Sequence, residues 1–415
     1  MVERLVIVGA GTVAGRLIDE LTARSPGTFD ITLFGDETVG IYDRIQLSAV
    51  LEGTTSFERL LLHDEAWYRR HRIDVRLGQR VLKIDRHRQH VVTAQGETPY
   101  DRLVIATGSR PRVIAVPGTD LPGVQTYRGA ADLQAIQRAT QAPGTKVVVI
   151  GGGVLGVETA AALAACGANV TLIHRASHLM ERLIDAIAGR LLEAALEQRG
   201  ITVLCQTDTL QLVGDGHVQA VQLADGQGIE AELVILATGI IPSTELALDA
   251  GLECRNGILI DDELCTSDPR IQAIGECAEH DGHCYGTVAP LFSMAAVAAQ
   301  RLAGGKAVFS DAVSSTALKV TGLELFASGR SDAPSDCEEI TFHDPANGLY
   351  RRLIVDDNRI TGVLLYGDAN DAGWFFQLLS SGADITDLRP GMIFGPRIAQ
   401  APPLPVYGGR CSLHG

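Results

Sequence analysis

A glycine-rich segment near the N-terminus constrains the fold of this chain more than any other feature. Residues 5–8 are apolar, as is typical of a strand buried on both faces, and a tight run of small residues follows. In the pattern G-x-G-x-x-G/A, Gly9 permits the turn, Gly11 leaves room for a pyrophosphate, and Ala14 keeps helix and strand close. The segment therefore predicts a dinucleotide-binding turn, with phosphates on free N–H groups at a helix N-terminus.

An acidic pair completes this first unit. Residues 16–23 carry apolar side chains at helical spacing, and residues 30–34 form a second apolar strand. Asp36 and Glu37 follow that strand, at about the position where an acid binds an adenosine ribose. We therefore expect both acids beside a bound nucleotide.

The same pattern returns about 140 residues later. Residues 147–150 are apolar, a glycine turn and a helix follow, and residues 169–173 form the next strand. The predicted nucleotide contacts of this copy are Gly151, Gly153, Val154, Leu155, Gly156 and Glu158. One such pattern is weak support for a site, but a repeat of the whole βαβ unit rarely arises by chance. Two dinucleotide sites in one chain indicate a flavin and a nicotinamide that exchange a hydride.

Composition is consistent with a large α/β protein. The 415 residues are 46% apolar and 5% aromatic, which is enough for two or three cores. We expect no membrane span and no signal peptide, because no long apolar run occurs and the N-terminus reads directly into a strand. The formal net charge of −15 argues against non-specific nucleic-acid binding. Eight cysteines without a C-x-x-C favour a reducing cytoplasm over a disulfide framework.

Two strands end in the same A-T-G turn. Residues 100–105 lead into Ala106-Thr107-Gly108, and residues 232–236 lead into Ala237-Thr238-Gly239. In flavoproteins with two dinucleotides, the chain crosses between the flavin and nicotinamide domains at such turns. We therefore expect both turns to contribute to the sites.

A specific resemblance emerges further along the chain. Residues 266–280 resemble the second flavin motif of the glutathione-reductase-type flavoprotein superfamily, with Glu276 after Gly275 where an aspartate is common. Within that superfamily the chain is similar to the N-terminal flavoprotein half of NAD(P)H nitrite reductase large subunits, and to electron-transfer subunits of assimilatory nitrate reductases. The segments that carry this similarity are Tyr42-Asp43-Arg44, Leu47-Ser48, residues 106–111, residues 275–280, residues 288–291, residues 318–322 and Tyr366-Gly367-Asp368.

The resemblance implies a domain organisation of class α/β. It comprises a discontinuous FAD-binding domain (1–115 and 240–305), an NAD(P)H-binding domain (116–239) and a small C-terminal α/β domain (306–388) that often contacts other chains. In that last domain we predict strands over 318–326, 339–342, 349–355 and 359–366 and a helix from Trp374, with Asp357-Asn358 as a hairpin turn. Residues 389–415 carry prolines and glycines with little periodicity, so we predict an extended tail.

Three further residues are implied in FAD binding. The forked guanidinium of Arg44 matches pyrophosphate oxygens, although an exposed loop arginine is the open alternative. Ser48 follows in the same matched segment. Pro290 opens a predicted helix whose dipole would stabilise negative charge on a reduced flavin, or the helix merely starts there.

Thiols are absent from the first third of the chain. The resemblance implies that thiol-dependent relatives keep a redox cysteine beside the flavin, whereas the first cysteine here is Cys166. We therefore expect electrons to leave the reduced flavin directly. Cys277, His280, His283 and Cys284 form the one metal-like cluster, but two of them belong to the flavin motif, and we predict no metal.

The coenzyme pocket favours NADPH. An NADH site usually has an acid after the second strand, but here His174 and Arg175 follow Ile173, and a guanidinium pairs well with a 2′-phosphate. Gly156 and the frequent use of NADH by related nitrite reductases argue the other way.

The sequence thus predicts a cytoplasmic FAD-dependent NAD(P)H dehydrogenase that feeds a separate redox partner. The preferred acceptor is the catalytic subunit of an assimilatory nitrate or nitrite reductase, since the iron–sulfur and sirohaem domains of nitrite reductases do not occur in these residues. A rubredoxin or ferredoxin reductase is the alternative, and a flavin-binding redox sensor or scaffold belongs to another class. The basic segment 69–90 is either a solvated face or a landing patch for an acidic partner.

Overall fold

The first glycine turn lies at the end of the central strand of a parallel sheet. We describe the fold from a computed structural model that covers residues 2–310, 315–318, 320 and 322–400. The strands of this sheet, in spatial order, are Ile271–Ala273, Arg102–Ile105, Glu3–Val8, Phe29–Phe34 and Ile73–Arg76. Helix Thr12–Arg24 follows the turn and buries Leu17, Ile18 and Leu21 in the same core as the strands. The continuous apolar run of the sequence is thus explained by a strand with both faces covered.

The second glycine turn lies at the same place in a second parallel sheet. Its strands, in spatial order, are Thr202–Leu204, Asn169–Ile173, Lys146–Ile150, Leu233–Leu236 and Val124–Thr126. In both sheets the strand before the turn pairs with the next strand of its unit on one side and with the A-T-G strand on the other. The internal repeat read from the sequence is therefore a repeat of topology, and the predicted α/β class is confirmed.

The chain crosses between the two sheets on a short antiparallel ribbon. Ser109–Pro111 pairs with Ile240–Pro242, with Ser109 opposite Pro242 and Pro111 opposite Ile240. Each strand of the ribbon begins directly after one A-T-G turn. Because the strands are antiparallel, the two turns lie at opposite ends of the ribbon. The Ser243 N–H donates to the carbonyl of Gly108 at 2.9 Å at one end, and the Arg112 N–H donates to the carbonyl of Gly239 at 2.9 Å at the other.

Smaller elements surround these two sheets. Three short antiparallel or mixed sheets are formed by Val81–Asp85, His90–Thr93 and Gly96–Pro99, by Thr209–Gly214, Val218–Leu223 and Gly228–Glu230, and by Ile258–Ile260, Ala278–His280 and His283–Cys284. The other helices in this part of the chain are Leu47–Leu51, Glu65–Arg70, Ala130–Ala139, Val154–Ala165, Ala186–Glu197, Glu245–Asp249 and Val288–Leu302, with short 3-10 turns at Arg44–Gln46, Phe57–Leu60 and Gly275–Cys277. Among the described residues, no helix combines the length and apolar content needed to cross a bilayer.

The chain divides into two compact units between Leu323 and Glu324. Strand Ser315–Ala317 lies before this division. The second unit contains antiparallel strands in the spatial order Leu325–Gly329, Arg359–Tyr366, Leu349–Asp356 and Glu338–Asp344. Asp357 and Asn358 have φ values of 43° and 53°, so they form the predicted hairpin turn. The finer domain boundaries inferred from the resemblance stay predictions.

Two predictions for the second unit need correction. The strand predicted over 318–326 is instead Leu325–Gly329, and residues 319 and 321 lie outside the described part. Residues 389–400 are not extended, because they form the turn Met392–Phe394 and the short helix Pro396–Ala399. Met392, Ile393 and Ala399 are buried in a core with helix Ala372–Ser381, so apolar side chains fold this segment back. Residues 401–415 of the predicted tail lie outside the described residues.

Candidate dinucleotide sites

The first glycine turn makes different demands on Gly9 and Gly11. Gly9 has a φ of 113°, and a Cβ there would lie 2.1 Å from the carbonyl oxygen of Ala106. Ala14 lies in the helix and is fully buried in the same core as the strands. In contrast, a Cβ on Gly11 would have no heavy atom within 4 Å. The protein itself therefore requires glycine at position 9, whereas position 11 is kept small beside open space.

The two helices that follow the glycine turns both begin without a side-chain cap. Helix Thr12–Arg24 starts after Gly11 and helix Val154–Ala165 after Gly153, and neither has an acidic residue in its first turn. The first N–H groups of a helix have no partner within the helix, and the helix dipole adds positive potential there. Both N-termini are therefore suited to a pyrophosphate, which would supply the missing acceptors.

The predicted flavin residues from distant parts of the chain converge on the first helix. A Cβ on Gly275 would lie 3.6 Å from the Val13 side chain, so the turn Gly275–Cys277 lies against the helix N-terminus. Glu276 accepts a hydrogen bond of 2.8 Å from the Ser109 hydroxyl, directly after Gly108. The Thr107 hydroxyl donates to the carbonyl of Ser243 at 2.9 Å, which ties the first A-T-G turn to the returning chain.

Arg128 is a site residue that sequence reasoning missed. Its guanidinium forms an ion pair with Glu276, on the same oxygen that Ser109 contacts. The Nε atom of Arg128 is buried and has no hydrogen-bond partner among the described residues. An unsatisfied buried donor beside the flavin motif fits an anionic or hydroxyl-rich ligand such as the FAD chain. No spacing in the sequence marks Arg128, because 148 residues separate it from Glu276.

Tyr127, which precedes Arg128, is buried. Burial, with the nearby carboxylate of Glu158 as the next cause, raises the pKa of Tyr127 well above its usual value. Its hydroxyl has no hydrogen-bond partner in the described part of the chain. Glu158, which we predicted at the nicotinamide site, is buried in helix Val154–Ala165. Tyr127 thus lies within electrostatic range of Glu158, whereas the adjacent Arg128 pairs with Glu276.

The predicted ribose acids have different surroundings. Asp36 is exposed, whereas Glu37 accepts hydrogen bonds from the Tyr42 hydroxyl at 2.9 Å and from Arg44 at 2.5 Å. Burial raises the pKa of Tyr42 to about 12, so the phenol stays protonated and donates to Glu37. Arg44 is therefore ion-paired beside the site and is not an isolated loop arginine. Ser48 is buried in helix Leu47–Leu51 on the same segment.

Pro290 lies in the first turn of a helix, as predicted, although the helix starts two residues earlier. Helix Val288–Leu302 packs against helix Thr12–Arg24, and the Arg16 guanidinium lies 5.6 Å from the ring centre of Phe292. Its N-terminus also has no side-chain cap. A proline is tolerated in this turn because the missing N–H would have no partner in the helix.

The second glycine turn repeats the geometry of the first. A Cβ on Gly151 would lie 2.3 Å from the carbonyl oxygen of Ala237, and one on Gly156 would lie 1.8 Å from that of Gly151. A Cβ on Gly153 would have no heavy atom within 4 Å. Val154 and Leu155 are the first two residues of the helix. As in the first turn, the second glycine of the G-x-G-x-x-G pattern, here Gly153, is the position that faces open space.

The second A-T-G turn is tied to the crossing ribbon. The Thr238 hydroxyl donates to the carbonyl of Arg112 at 2.6 Å, and the Arg112 N–H donates to the carbonyl of Gly239 at 2.9 Å. Gly239 has a φ of 101°, and a Cβ there would have no near neighbour. Thr238 and Gly239 therefore lie between the end of the second sheet and the crossing ribbon, and their contact with a nucleotide stays a prediction.

His174 and Arg175, which we treated as two basic contacts, have different roles. The Gly152 N–H donates to Nδ1 of His174 at 3.1 Å, and Nε2 of His174 lies 2.9 Å from a carboxylate oxygen of Glu181. Because Nδ1 must be an acceptor here, the proton resides on Nε2 and is donated to Glu181. No ring nitrogen is left for a phosphate, so the direct contact predicted for His174 does not agree with the structure. Arg175 is exposed, and within the described residues no carboxylate pairs with it.

Residues 3–301 match the pyridine nucleotide-disulphide oxidoreductase family, and residues 315–383 match the rubredoxin NAD+ reductase C-terminal domain. The chain belongs to the pyridine nucleotide-disulphide oxidoreductase family. It is therefore an NAD(P)H-dependent flavoprotein oxidoreductase, and membership implies the use of FAD and NAD(P)H. The open, uncapped helix N-termini and the buried donor of Arg128 fit these groups.

Two curated relatives from Bacillus subtilis match nearly the whole chain. It is 38% identical to a nitrite reductase [NAD(P)H] over 96% of this chain and 50% of that protein. It is 36% identical to an assimilatory nitrate reductase electron transfer subunit, over 94% of this chain and 51% of that protein. The chain thus spans about half the length of these relatives, and the resemblance inferred from the motifs is confirmed.

A solved structure with the same fold supports the assignment. The covalent putidaredoxin reductase–putidaredoxin complex matches with a TM-score of 0.86 and 28% identity, over 94% of this chain and 95% of that chain. A fold held in common over that length includes both parallel sheets and the C-terminal unit.

The cysteines in the described part of this oxidoreductase form no disulfide. All cysteines among the described residues are free, and in that part of the chain no three His, Cys, Asp or Glu side chains are grouped to hold a metal. Cys277 is buried with its sulfur against the carbonyls of Ile105 and Ile274, and burial raises its thiol pKa. His280 is held by Asp262 at 2.9 Å, whereas His283 and Cys284 are exposed. Two members of the metal-like cluster, Cys277 and His280, are therefore buried, whereas His283 and Cys284 are exposed.

The basic segment 69–90 is partly neutralised by acids of the same unit. The ion pairs are Arg76–Asp74, Arg86–Asp268 and Arg88–Glu97. Asp268 is buried, whereas Arg76–Asp74 and Arg88–Glu97 are largely exposed pairs, which contribute little to stability. All three acids lower the positive potential that an acidic partner would meet. This observation favours the solvated-face interpretation.

Proposed function

We propose that this oxidoreductase passes electrons from NAD(P)H through FAD to a separate redox protein. The preferred acceptor is the catalytic subunit of an assimilatory nitrate or nitrite reductase. The observation that carries this preference is the identity of 36–38% to the two Bacillus subtilis proteins over almost the entire chain. Because the chain spans only half of each, the complete reactions of those proteins are not assigned to it.

FAD is assigned to the first sheet and to the segments that converge on it, within residues 1–115 and 240–305. The proposed contacts are Gly9, Gly11, Ala14, Asp36, Glu37, Arg44, Ser48, Ala106, Thr107, Gly108, Gly275, Glu276 and Pro290, to which the geometry adds Arg128. Gly11 leaves the space and the helix N-terminus supplies donors for the pyrophosphate. Glu276 keeps one carboxylate oxygen outside the contacts with Ser109 and Arg128, and this oxygen is the proposed acceptor for a flavin-chain hydroxyl.

NAD(P)H is assigned to the second turn, within residues 116–239. The proposed contacts are Gly151, Gly153, Val154, Leu155, Gly156, Glu158, Arg175, Thr238 and Gly239. We also propose that residues 306–388 act as one C-terminal domain that mediates contacts between chains. The antiparallel ribbon connects the two A-T-G turns, one at each of its ends, and we propose that the two nucleotides bind at the sheet ends that it joins.

Bound FAD would supply the chemistry that side chains lack, because it accepts a hydride and releases electrons to an acceptor. The chain binds, orients and shields the two nucleotides. The uncapped N-terminus of helix Val288–Leu302 provides positive potential near Pro290, which would stabilise negative charge in that region. No cysteine precedes Cys166, so residues 1–165 contain no candidate for a thiol relay.

The acceptor is tested with purified partners. The FAD-loaded chain is mixed with NADPH or NADH and, separately, with the catalytic subunit of an assimilatory nitrate reductase, a rubredoxin and a ferredoxin. We expect the highest kcat/KM with the nitrate reductase subunit, with nitrite formation dependent on both proteins. A higher kcat/KM with rubredoxin or ferredoxin would replace this acceptor by the alternative.

The alternative of a rubredoxin or ferredoxin reductase rests on two observations. Residues 315–383 match the rubredoxin NAD+ reductase C-terminal domain, and the fold matches putidaredoxin reductase. A flavin-binding sensor or scaffold is distinguished by turnover, because it would reduce every one-electron acceptor slowly.

We propose that the protein prefers NADPH to NADH, and that Arg175, without His174, provides this preference. Its guanidinium is exposed and has no carboxylate partner among the described residues, so it is available to a 2′-phosphate. Arg175→Ala is expected to lower kcat/KM for NADPH about tenfold and to change that for NADH less than about twofold, since one charged hydrogen-bonding group is lost. Steady-state kinetics with both coenzymes measure the ratio. A parent protein that prefers NADH, or an unchanged ratio in the variant, would contradict the proposal.

A further inference from the structure

Gly152, which lies between Gly151 and Gly153 in the second glycine turn, forms hydrogen bonds through both its backbone N–H and its carbonyl. The Gly152 N–H donates to Nδ1 of His174 at 3.1 Å, and the Gly152 carbonyl accepts from the Met180 N–H at 2.8 Å. A Cβ on Gly152 would lie 2.7 Å from Cγ of His174 and 2.5 Å from Cδ2 of Leu179. The segment 174–180 therefore encloses this peptide unit directly before the open position Gly153.

The first turn fills the corresponding space differently. Val8 pairs with Phe34 and Ile150 pairs with Ile173, so Gly35 occupies the position that His174 has in the second copy. A Cβ on Gly35 would lie 2.8 Å from Cβ of Ala10, which is the counterpart of Gly152. The first copy thus combines alanine in the turn with glycine after the strand. The second copy combines glycine in the turn with histidine after the strand. Of the two arrangements, only this one gives a backbone N–H of the turn a side-chain acceptor, which is Nδ1 of His174.

The histidine is itself fixed in position. Its backbone N–H donates to the carbonyl of Leu204 at 2.8 Å, and its carbonyl accepts from the Thr207 N–H at 3.0 Å. Its Nε2–H is directed to Glu181 at 2.9 Å, and the residue is buried. A buried ring with both nitrogens engaged has one orientation and one tautomer, so its Nδ1 lone pair remains aimed at Gly152.

We propose that His174 is a positioning residue for the nicotinamide nucleotide. By accepting the Gly152 N–H, it orients the turn so that the next N–H groups, at Gly153, Val154 and Leu155, face the pyrophosphate. Glu181 holds the imidazole in the required tautomer. This inference rests on the proposed binding of NAD(P)H at the second turn, and it is independent of the electron acceptor.

The test uses substitutions that separate the two ring nitrogens. In His174→Asn the amide oxygen takes the place of Nδ1 and keeps the acceptor for Gly152. In His174→Gln the amide reaches toward Glu181 and leaves the Gly152 N–H without an acceptor, so this variant is the matched control. His174→Leu removes both contacts. Each FAD-loaded variant is assayed for NADP+ dissociation constant by calorimetry and for kcat and KM for NADPH with ferricyanide.

We expect the leucine and glutamine variants to raise the NADP+ dissociation constant and the KM about tenfold, as for the loss of one well-placed hydrogen bond. Their kcat should change less than about twofold, because ground state and transition state lose the same binding. The asparagine variant should stay within about threefold of the parent, and bound FAD should be equal in all four proteins. Equal behaviour of the asparagine and glutamine variants, or a fall in kcat without a rise in KM, would overturn the inference. If the second turn did not bind the nucleotide, the parent itself would fail to bind NADP+, which distinguishes the two failures.

Discussion

Gly11→Val is expected to give a folded protein that carries no flavin. A Cβ at this position would meet no protein atom within 4 Å, so the branched side chain extends into open space and does not disturb the core. It would occupy the space in front of the uncapped N-terminus of helix Thr12–Arg24, where the pyrophosphate is proposed to bind. We expect the FAD content to fall at least about tenfold, with a melting temperature near that of the flavin-free parent.

The neighbouring glycine provides the control for that experiment. Valine at position 9 would collide with the Ala106 carbonyl and would have to adopt a φ of 113°, so Gly9→Val should lower the yield of folded protein as well as the flavin content. Absorbance of the purified proteins and thermal melts separate the two results. A fully flavin-loaded Gly11→Val protein would remove the first turn as the FAD site.

Gly153→Val is expected to keep FAD but to lose reduction by NAD(P)H. Position 153 is as open as position 11, and helix Val154–Ala165 is also uncapped. The side chain would block the pyrophosphate of the nicotinamide nucleotide and thereby remove several charge-assisted hydrogen bonds at once. We expect kcat/KM for NADPH to fall at least about 100-fold.

Chemical reduction supplies the control for the second variant. Dithionite needs no nucleotide site, so the flavin of Gly153→Val should be bleached by dithionite as completely as that of the parent. Anaerobic rapid mixing with NADPH then measures the loss that is specific to the coenzyme. Parent-like reduction by NADPH would show that the nucleotide binds elsewhere.

The sequence was sufficient for the elements that repeat a strong local pattern. The strand predicted over 169–173 is observed as Asn169–Ile173, and the one predicted over 359–366 is observed as Arg359–Tyr366. The hairpin at Asp357-Asn358 was also predictable, because both residue types tolerate positive φ. In such segments local propensity, apolar periodicity and turn chemistry all favour the same structure.

Contacts between distant segments were not predictable. Arg128 meets Glu276 only because the crossing ribbon and the strand Val124–Thr126 place the two segments together. The pairing of His174 with Glu181 depends on the turn at Met180, which has a φ of 54°. From the sequence alone, a basic residue after a strand is interpreted as a phosphate ligand. In the structure, His174 is buried and its ring nitrogens contact Gly152 and Glu181 instead.

The roles of the individual glycines in the second turn were also not predictable from the sequence. The pattern G-x-G-x-x-G treats Gly151, Gly153 and Gly156 as one motif. The structure separates Gly151 and Gly156, which the chain needs for close packing, from Gly153, where a Cβ would meet no heavy atom within 4 Å. For Gly151 the close neighbour is the second A-T-G turn, which lies more than 80 residues further along the chain, and for Gly156 it is the carbonyl of Gly151.

The most direct test of the account is the number of electrons that the chain takes up. We propose that FAD is the only redox group, since no cysteine precedes Cys166 and Cys277 is buried with a raised thiol pKa. The measurement is an anaerobic titration of the FAD-loaded protein with NADPH, followed by flavin absorbance. The account predicts that the flavin is fully reduced after one equivalent of NADPH per FAD, with thiol content unchanged. Uptake of a second equivalent, with new thiols appearing, would contradict it.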